Sequence, residues 1–154
     1  MRSAERTSVA FRPEEVLGRT GHRPYPAPSG SWAIGMSWRD LLFMHWPVGA
    51  DVLRLLVPPA LSLDTFDGSA WLGVVPFRMI GVRPRFLPSV SPLSNFPEIN
   101  LRTYVTAEGK PGIWFFSLDA HNPAAVRLAR ATFHLPYFDA EMSCRASENE
   151  VLYR

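Results

Sequence analysis

Lysine is nearly missing from this sequence: of sixteen cationic residues only Lys110 is one. Cysteine is as scarce, and a lone Cys144 cannot close an internal disulfide, which excludes a disulfide-stapled secreted scaffold. Charged residues reach only 19% against 47% hydrophobic ones, a balance that excludes a disordered tail and a coiled coil. Residues 1–35 hold no apolar signal-peptide core, and the longest apolar stretches, 41–44 and 46–50 around His45, are far short of the ~20 residues of a membrane helix. No membrane partner is expected, and the chain reads as a compact cytoplasmic domain. Also absent are a glycine-rich phosphate loop, paired Cys-x-x-Cys, His-Glu-x-x-His and Gly-x-Ser-x-Gly. His22, His45, His121 and His134 lack zinc-site spacing, and Cys144 reads as a small apolar filler, so neither a metal nor a cofactor is expected.

What is present is one domain's worth of chain, 154 residues, with 15 prolines and 10 glycines that favour short strands and tight turns. The net charge of +2 sits in residues 1–35, where Arg2, Arg6, Arg12, Arg19 and Arg23 face Glu5, Glu14 and Glu15. The remainder is neutral, so it has no excess with which to bind a phosphate backbone, and no nucleic-acid partner is expected. The stretch 22–30 is proline-rich and reads as an extended, solvated leader.

From Trp38 onward, short apolar runs alternate with turns. Residues 38–46 read as a strand, and 49–57 as a short helix ended by Pro58-Pro59. Residues 61–66 and 70–82 read as a hairpin around Asp67-Gly68. A proline- and serine-containing loop over 83–97 leads to a second hairpin, 98–106 and 113–119, turning through 108–112. Asn122-Pro123 caps and starts a helix to Phe133, and 137–145 and 151–154 read as strands. Hairpins with two interspersed helices imply an α+β fold with a mainly antiparallel sheet.

On the strand from Glu98, strict alternation puts Glu98, Asn100, Arg102 and Tyr104 on one face and Ile99, Leu101, Thr103 and Val105 on the other. Its partner strand is apolar on both faces: Trp114, Phe116 and Leu118 on one, Ile113 and Phe115 on the other. A sheet apolar on both sides is covered on both sides, so the polar row is expected to be partly enclosed. An enclosed carboxylate or guanidinium must be paired or it costs several kcal/mol. A solvated face with cross-strand pairing is the other reading of the same alternation. Arg78 raises the same question, alone among Leu72, Val74, Pro76 and Ile80 on its face.

The segments 41–47, 64–79, 96–105 and 109–120 closely resemble the bacterial YqjF-like proteins, the family known as domain of unknown function 2071, over residues 38 to about 142. That family is in turn similar to acetoacetate decarboxylase, through Asp51-Val-Leu-Arg-Leu-Leu-Val-Pro58 and Ala129-Arg-Ala-Thr-Phe-His-Leu-Pro136. The resemblance implies a β-rich cone or barrel with flanking helices, occupying residues 36–154 behind a flexible leader over 1–35. In the second segment the decarboxylase carries an arginine, an aromatic residue, a proline and then two lysines. Arg130, Phe133 and Pro136 match, but Tyr137 and Phe138 stand at the lysine positions, and neither can form a Schiff base. Glu98 falls where the decarboxylase keeps an active-site glutamate.

The resemblance therefore implies a decarboxylase-like scaffold that binds a small carbonyl-containing or aromatic molecule without Schiff-base chemistry. Glu98 and His134 are the acid–base candidates, and Arg78, Asn100, Arg102, Tyr104 and Tyr137 the candidate ligand contacts. The rival expectation is a non-catalytic assembly or interaction domain whose interior is filled by Trp71, Trp114 and Phe116. Relatives of this kind continue through further strands, so the chain is expected to be C-terminally truncated. Its open sheet edge would offer a route to a homo-oligomer.

Overall fold

The computed structural model describes residues 16–91 and 93–154. The leader expected over 1–35 thus lies partly outside the described residues; residues 16–31 are exposed. In chain order follow β1 (Ile34–Arg39), β2 (Met44–Val48), helix α1 (Ala50–Arg54), β3 (Ser62–Leu63), β4 (Thr65–Phe66) and β5 (Ser69–Pro84). Then come β6 (Phe96–Ala107), β7 (Lys110–Ala120), helix α2 (Pro123–Phe133), β8 (Tyr137–Asp139), β9 (Cys144–Ala146) and β10 (Val151–Tyr153). Eight strands form one sheet in the order β1-β5-β6-β7-β8, with β2 and β4 paired to β5 and β3 to β6; β9 and β10 form a separate hairpin.

Both expected turns form, for the expected reason, but the arm expected over 61–66 is divided: only Thr65–Phe66 pairs back onto β5, while Ser62–Leu63 pairs with β6. Asp67 and Gly68 have φ of 51° and 74°, and Glu108 and Gly109 have 50° and 74°. Two successive left-handed residues make the tight turn whose twist matches paired strands. The second turn is tighter than its sequence implies, because Lys110 already pairs with Ala107 at the start of β7.

The strand expected over 38–46 is broken in two. Asp40 turns the chain at φ 56°, which a short polar side chain tolerates, and Arg78 Nε donates to its Oδ2 at 2.6 Å. β1 and β2 then run one after the other along the same edge of β5. The strand expected over 137–145 is likewise divided into β8 and β9. α1 is held from its C-terminal side by Arg54, whose guanidinium donates to the carbonyls of Val57, Pro58 and Leu61.

Among the described residues every strand pair is antiparallel except β7–β8, which is parallel because α2 carries the chain back over the sheet between them. The sheet is therefore mixed, with β1 and β2 at one margin and β8 at the other. Among the described residues it is not closed into a barrel or cone. α2 starts as expected: Asn122 Oδ1 accepts from Ala125 N at 3.1 Å, while its amide donates to Leu93 O at 2.8 Å and ties down the preceding loop. Val126 of this helix packs with Val75, Phe77, Met79, Phe96 and Ala120, so α2 covers one end of one sheet face.

The register corrects the expected faces of β7. Leu101 pairs with Ser117 but Arg102 pairs with Phe115, so Phe116 is an extra residue. A β-bulge shifts the alternation by one, and side chains opposite each other in register share a face. Leu118 and Ala120 therefore share a face with Phe115 and Ile113, not with Trp114 and Phe116.

Candidate functional site

β6 lies between β5 and β7 over most of its length, and the polar row that the alternation defines is buried on its face of the sheet. Glu98 is 1% exposed, Asn100 2% and Arg102 7%. Phe77 and Ala120 flank Glu98 in register, Val75 and Leu118 flank Asn100, and Gly73 and Phe115 flank Arg102. Three buried polar atoms along this row have no protein partner: Glu98 Oε2, Asn100 Oδ1 and Arg102 Nε. Each such atom costs roughly 1–3 kcal/mol if it stays dry, so three on alternate residues of one strand call for polar matter beside them.

At the covered end, burial pushes the Glu98 carboxyl from 4.5 up to about 8; Tyr137 pulls it down in part and the charge of Asp119 adds to the rise. Tyr137 O–H donates to Glu98 Oε1 over a long 3.5 Å. The phenol is itself pushed up by burial and then by the neighbouring carboxylate, so it keeps its proton. At neutral pH the pair is a carboxylic acid and a phenol, two groups able to donate to a carbonyl oxygen.

At the other end the row meets β2. His45 stands across from Gly73, which stands across from Arg102. His45 Nε2 and the Tyr104 hydroxyl are 2.5 Å apart, and Arg102 Nη2 donates to the same hydroxyl at 3.3 Å. The guanidinium carbon lies 5.3 Å from the Phe43 ring centre and 5.6 Å from that of Tyr104. A recess of about 340 Å³, open to solvent, is lined here by His45, Phe66, Trp71 and Tyr104.

Glu98, Asn100, Arg102, Tyr104 and Tyr137 thus lie along one face. Arg78 does not join them: Phe77, not Arg78, pairs with Glu98, so Arg78 points to the opposite face, where it forms an ion pair with Asp40. His134 is exposed in a left-handed conformation just after α2 and makes no contact with the row. Lys110 is at the far end of the β6–β7 hairpin from Glu98. His45, Gly73, Phe43 and Phe66 were not singled out from the sequence. The alternation of Phe43, His45 and Pro47 was visible there, but only the β2–β5 register aligns it with Arg102. No cluster of three or more His, Cys, Asp or Glu suited to a metal occurs among the described residues, and none of their helices is long and apolar enough to cross a membrane.

Residues 35–154 match the DUF2071 family, described as an uncharacterized conserved protein. The chain belongs to this family. It is 50% identical over 126 residues to the uncharacterized protein YqjF of Bacillus subtilis (strain 168), a match covering 82% of this chain and 52% of YqjF. It therefore spans about half the length of that curated relative. Acetoacetate decarboxylase from Legionella pneumophila superposes with a TM-score of 0.63 at 15% identity, over 90% of this chain and 52% of the enzyme. The enduracididine biosynthesis enzyme MppR, solved with pyruvate, superposes with a TM-score of 0.56 at 15% identity, over 83% of this chain and 48% of that one. At such identities these likenesses show a shared fold, as the sequence resemblance implied.

Proposed function

We propose that this DUF2071 chain supplies the binding wall of a decarboxylase-like scaffold and holds a small carbonyl-containing or aromatic molecule along the β6 face. The observation that carries this reading is the line of orphaned buried atoms, Glu98 Oε2, Asn100 Oδ1 and Arg102 Nε, on one strand. A protein with only a structural interior would gain by replacing such groups with apolar ones. Support also comes from the bulge at Phe116 of β7, which turns Phe115 and Ile113 onto the face of the row, since bulges re-aim side chains beside sites.

Chemistry along this wall is acid–base. Glu98, held protonated by burial, donates to a ligand carbonyl, and the Tyr137 hydroxyl stands in reserve beside it. Schiff-base chemistry has no agent on the row, because the position that carries lysine in the decarboxylase holds Tyr137 and the single lysine is remote. Calorimetry against a metabolite set tests the reading with wild type, Glu98→Gln and Arg102→Ala. A ligand held by wild type and weakened in both variants sustains it, and equal binding by all three removes it.

A second reading, as a docking or assembly domain, is favoured by the exposed apolar side chains Leu42, Phe43, Trp46 and, on the edge strand, Phe138. Such patches mark surfaces for further polypeptide, a second copy of the chain included. Sedimentation across a concentration series discriminates: a monomer at every concentration refutes self-assembly.

A further inference from the structure

We infer that the loop after β5 is a docking surface for an anionic lipid bilayer, with Arg83 and Arg85 at the headgroups and Phe86, Leu87 and Val90 at the apolar boundary. The inference does not use the β6 row and goes beyond the reading of that row as a ligand site.

The loop is inside out. Its backbone is braced at both ends: Arg85 N donates to Ala33 O at 2.9 Å, Val82 N to Ser94 O at 3.0 Å and Val90 N to Ser94 Oγ at 2.8 Å. Gly81 N donates to the Asn95 side chain at 2.8 Å. Held in this way, the loop buries its serine and exposes its large apolar side chains. Ser94 is 4% exposed and Phe86 88%, with Leu87 and Val90 more than half exposed. Water favours the reverse arrangement, and a fixed apolar patch of this kind marks a contact surface.

The charge around the patch is of one sign. The two stretches of chain that pair here through Ile34 and Pro84, 16–39 and 68–97, contain no Asp or Glu. The guanidinium carbons of Arg83 and Arg85 lie 5.5 and 5.8 Å from the Trp32 ring centre, and that of Arg85 lies 5.2 Å from the Phe86 ring. Among the described residues neither arginine forms an ion pair. Leu55 and Phe66 are comparably exposed, but Asp51, Asp64 and Asp67 stand close to them in sequence.

Charge complementarity selects the occupant. A bilayer with anionic headgroups attracts arginines to its surface and takes aromatic and aliphatic side chains into the boundary beneath, where a tryptophan such as Trp32 is also at home. A second copy of this chain carries +2 and brings no net counter-charge. A nucleic acid needs an open ring to stack upon, but Trp32 already carries two guanidinium groups, and Leu87 and Val90 have no ring to offer. The expectation of no membrane partner came from the lack of a spanning segment; no described helix spans, and a surface loop needs none.

The test sediments the full chain with vesicles of equimolar phosphatidylglycerol and phosphatidylcholine. Pure phosphatidylcholine vesicles are the neutral control and polyuridylate is the competing polyanion. Anionic vesicles should carry the protein down at low salt and release it at ~1 M salt, where charges are screened within about 3 Å. Neutral vesicles should leave it in solution. Arg83→Gln combined with Arg85→Gln should weaken partitioning about 25-fold, or about fivefold for each arginine. Phe86→Ser should weaken it about tenfold with the charge unchanged. Arg127→Gln combined with Arg130→Gln, which removes the same charge from exposed positions of α2, should leave partitioning nearly unchanged. If the loop arginine variant does not fold, salt release and Phe86→Ser decide, since the Phe86 side chain is too exposed to hold the fold together. Equal sedimentation with neutral vesicles, none with either kind, an unmoved Phe86→Ser, or an α2 variant as weak as the loop variant overturns the inference. So does tighter binding of polyuridylate than of anionic vesicles, which would make the surface one for nucleic acid.

Discussion

Replacing Glu98 by glutamine should change the pH at which this protein is most stable. In the folded chain the carboxyl titrates near 8, while in the unfolded chain it returns to 4.5. Between these values the folded state keeps a proton that the unfolded state has released, so stability falls as pH rises, by about 1.4 kcal/mol for each pH unit. Across the whole window from 4.5 to about 8 this amounts to roughly 5 kcal/mol. That is comparable with the total stability of an ordinary domain. Below pH 4.5 both states are protonated and the effect disappears; above 8 both are ionised and the loss is complete. The glutamine amide has nearly the same shape and does not titrate, so Glu98→Gln should be flat where wild type slopes. Urea unfolding at pH 5, 6, 7 and 8 reads this directly, as a midpoint that falls steadily in wild type and holds in the variant. Parallel slopes in the two proteins would refute the reasoning, because they would show that the carboxyl is solvated enough to ionise normally.

Tyr137→Phe removes the hydrogen bond that pulls the Glu98 carboxyl down, so the alkaline end of that same window should move to higher pH; an unmoved end point would mean that the 3.5 Å contact carries nothing. Acetoacetate with borohydride should leave no mass adduct on this chain, whereas an adduct on Lys110 would show that the Schiff-base argument is wrong. Asn122→Ala loses both the helix cap and the tie to Leu93, and should cost about 1–2 kcal/mol in thermal unfolding. Arg78→Gln breaks an ion pair whose arginine is about one-third exposed; screening should limit its cost to about 1 kcal/mol, with ligand binding untouched.

By itself the sequence determined whatever rests on neighbours along the chain. Asp67-Gly68 and Glu108-Gly109 set two tight hairpins because both positions adopt left-handed backbone, and Asn122-Pro123 set the start of α2 because cap and first-turn chemistry are local. The period-two alternation from Glu98 to Tyr104 was legible for the same reason, but whether that face is enclosed or solvated was left open until the structure showed Glu98, Asn100 and Arg102 buried. Only the tertiary structure decided which strands meet, and at what offset. The turn at Asp40 split one expected strand in two, and the extra residue Phe116 reversed the faces of half of β7. Neither is encoded in composition, since a single left-handed residue or a one-residue bulge leaves the hydrophobic pattern almost intact. Arg78 was separated from Arg102 by register, because odd and even positions of paired strands face opposite ways. The same register carried His45 across Gly73 to Arg102, joining residues 45, 73 and 102, whose distance along the chain hides their contact.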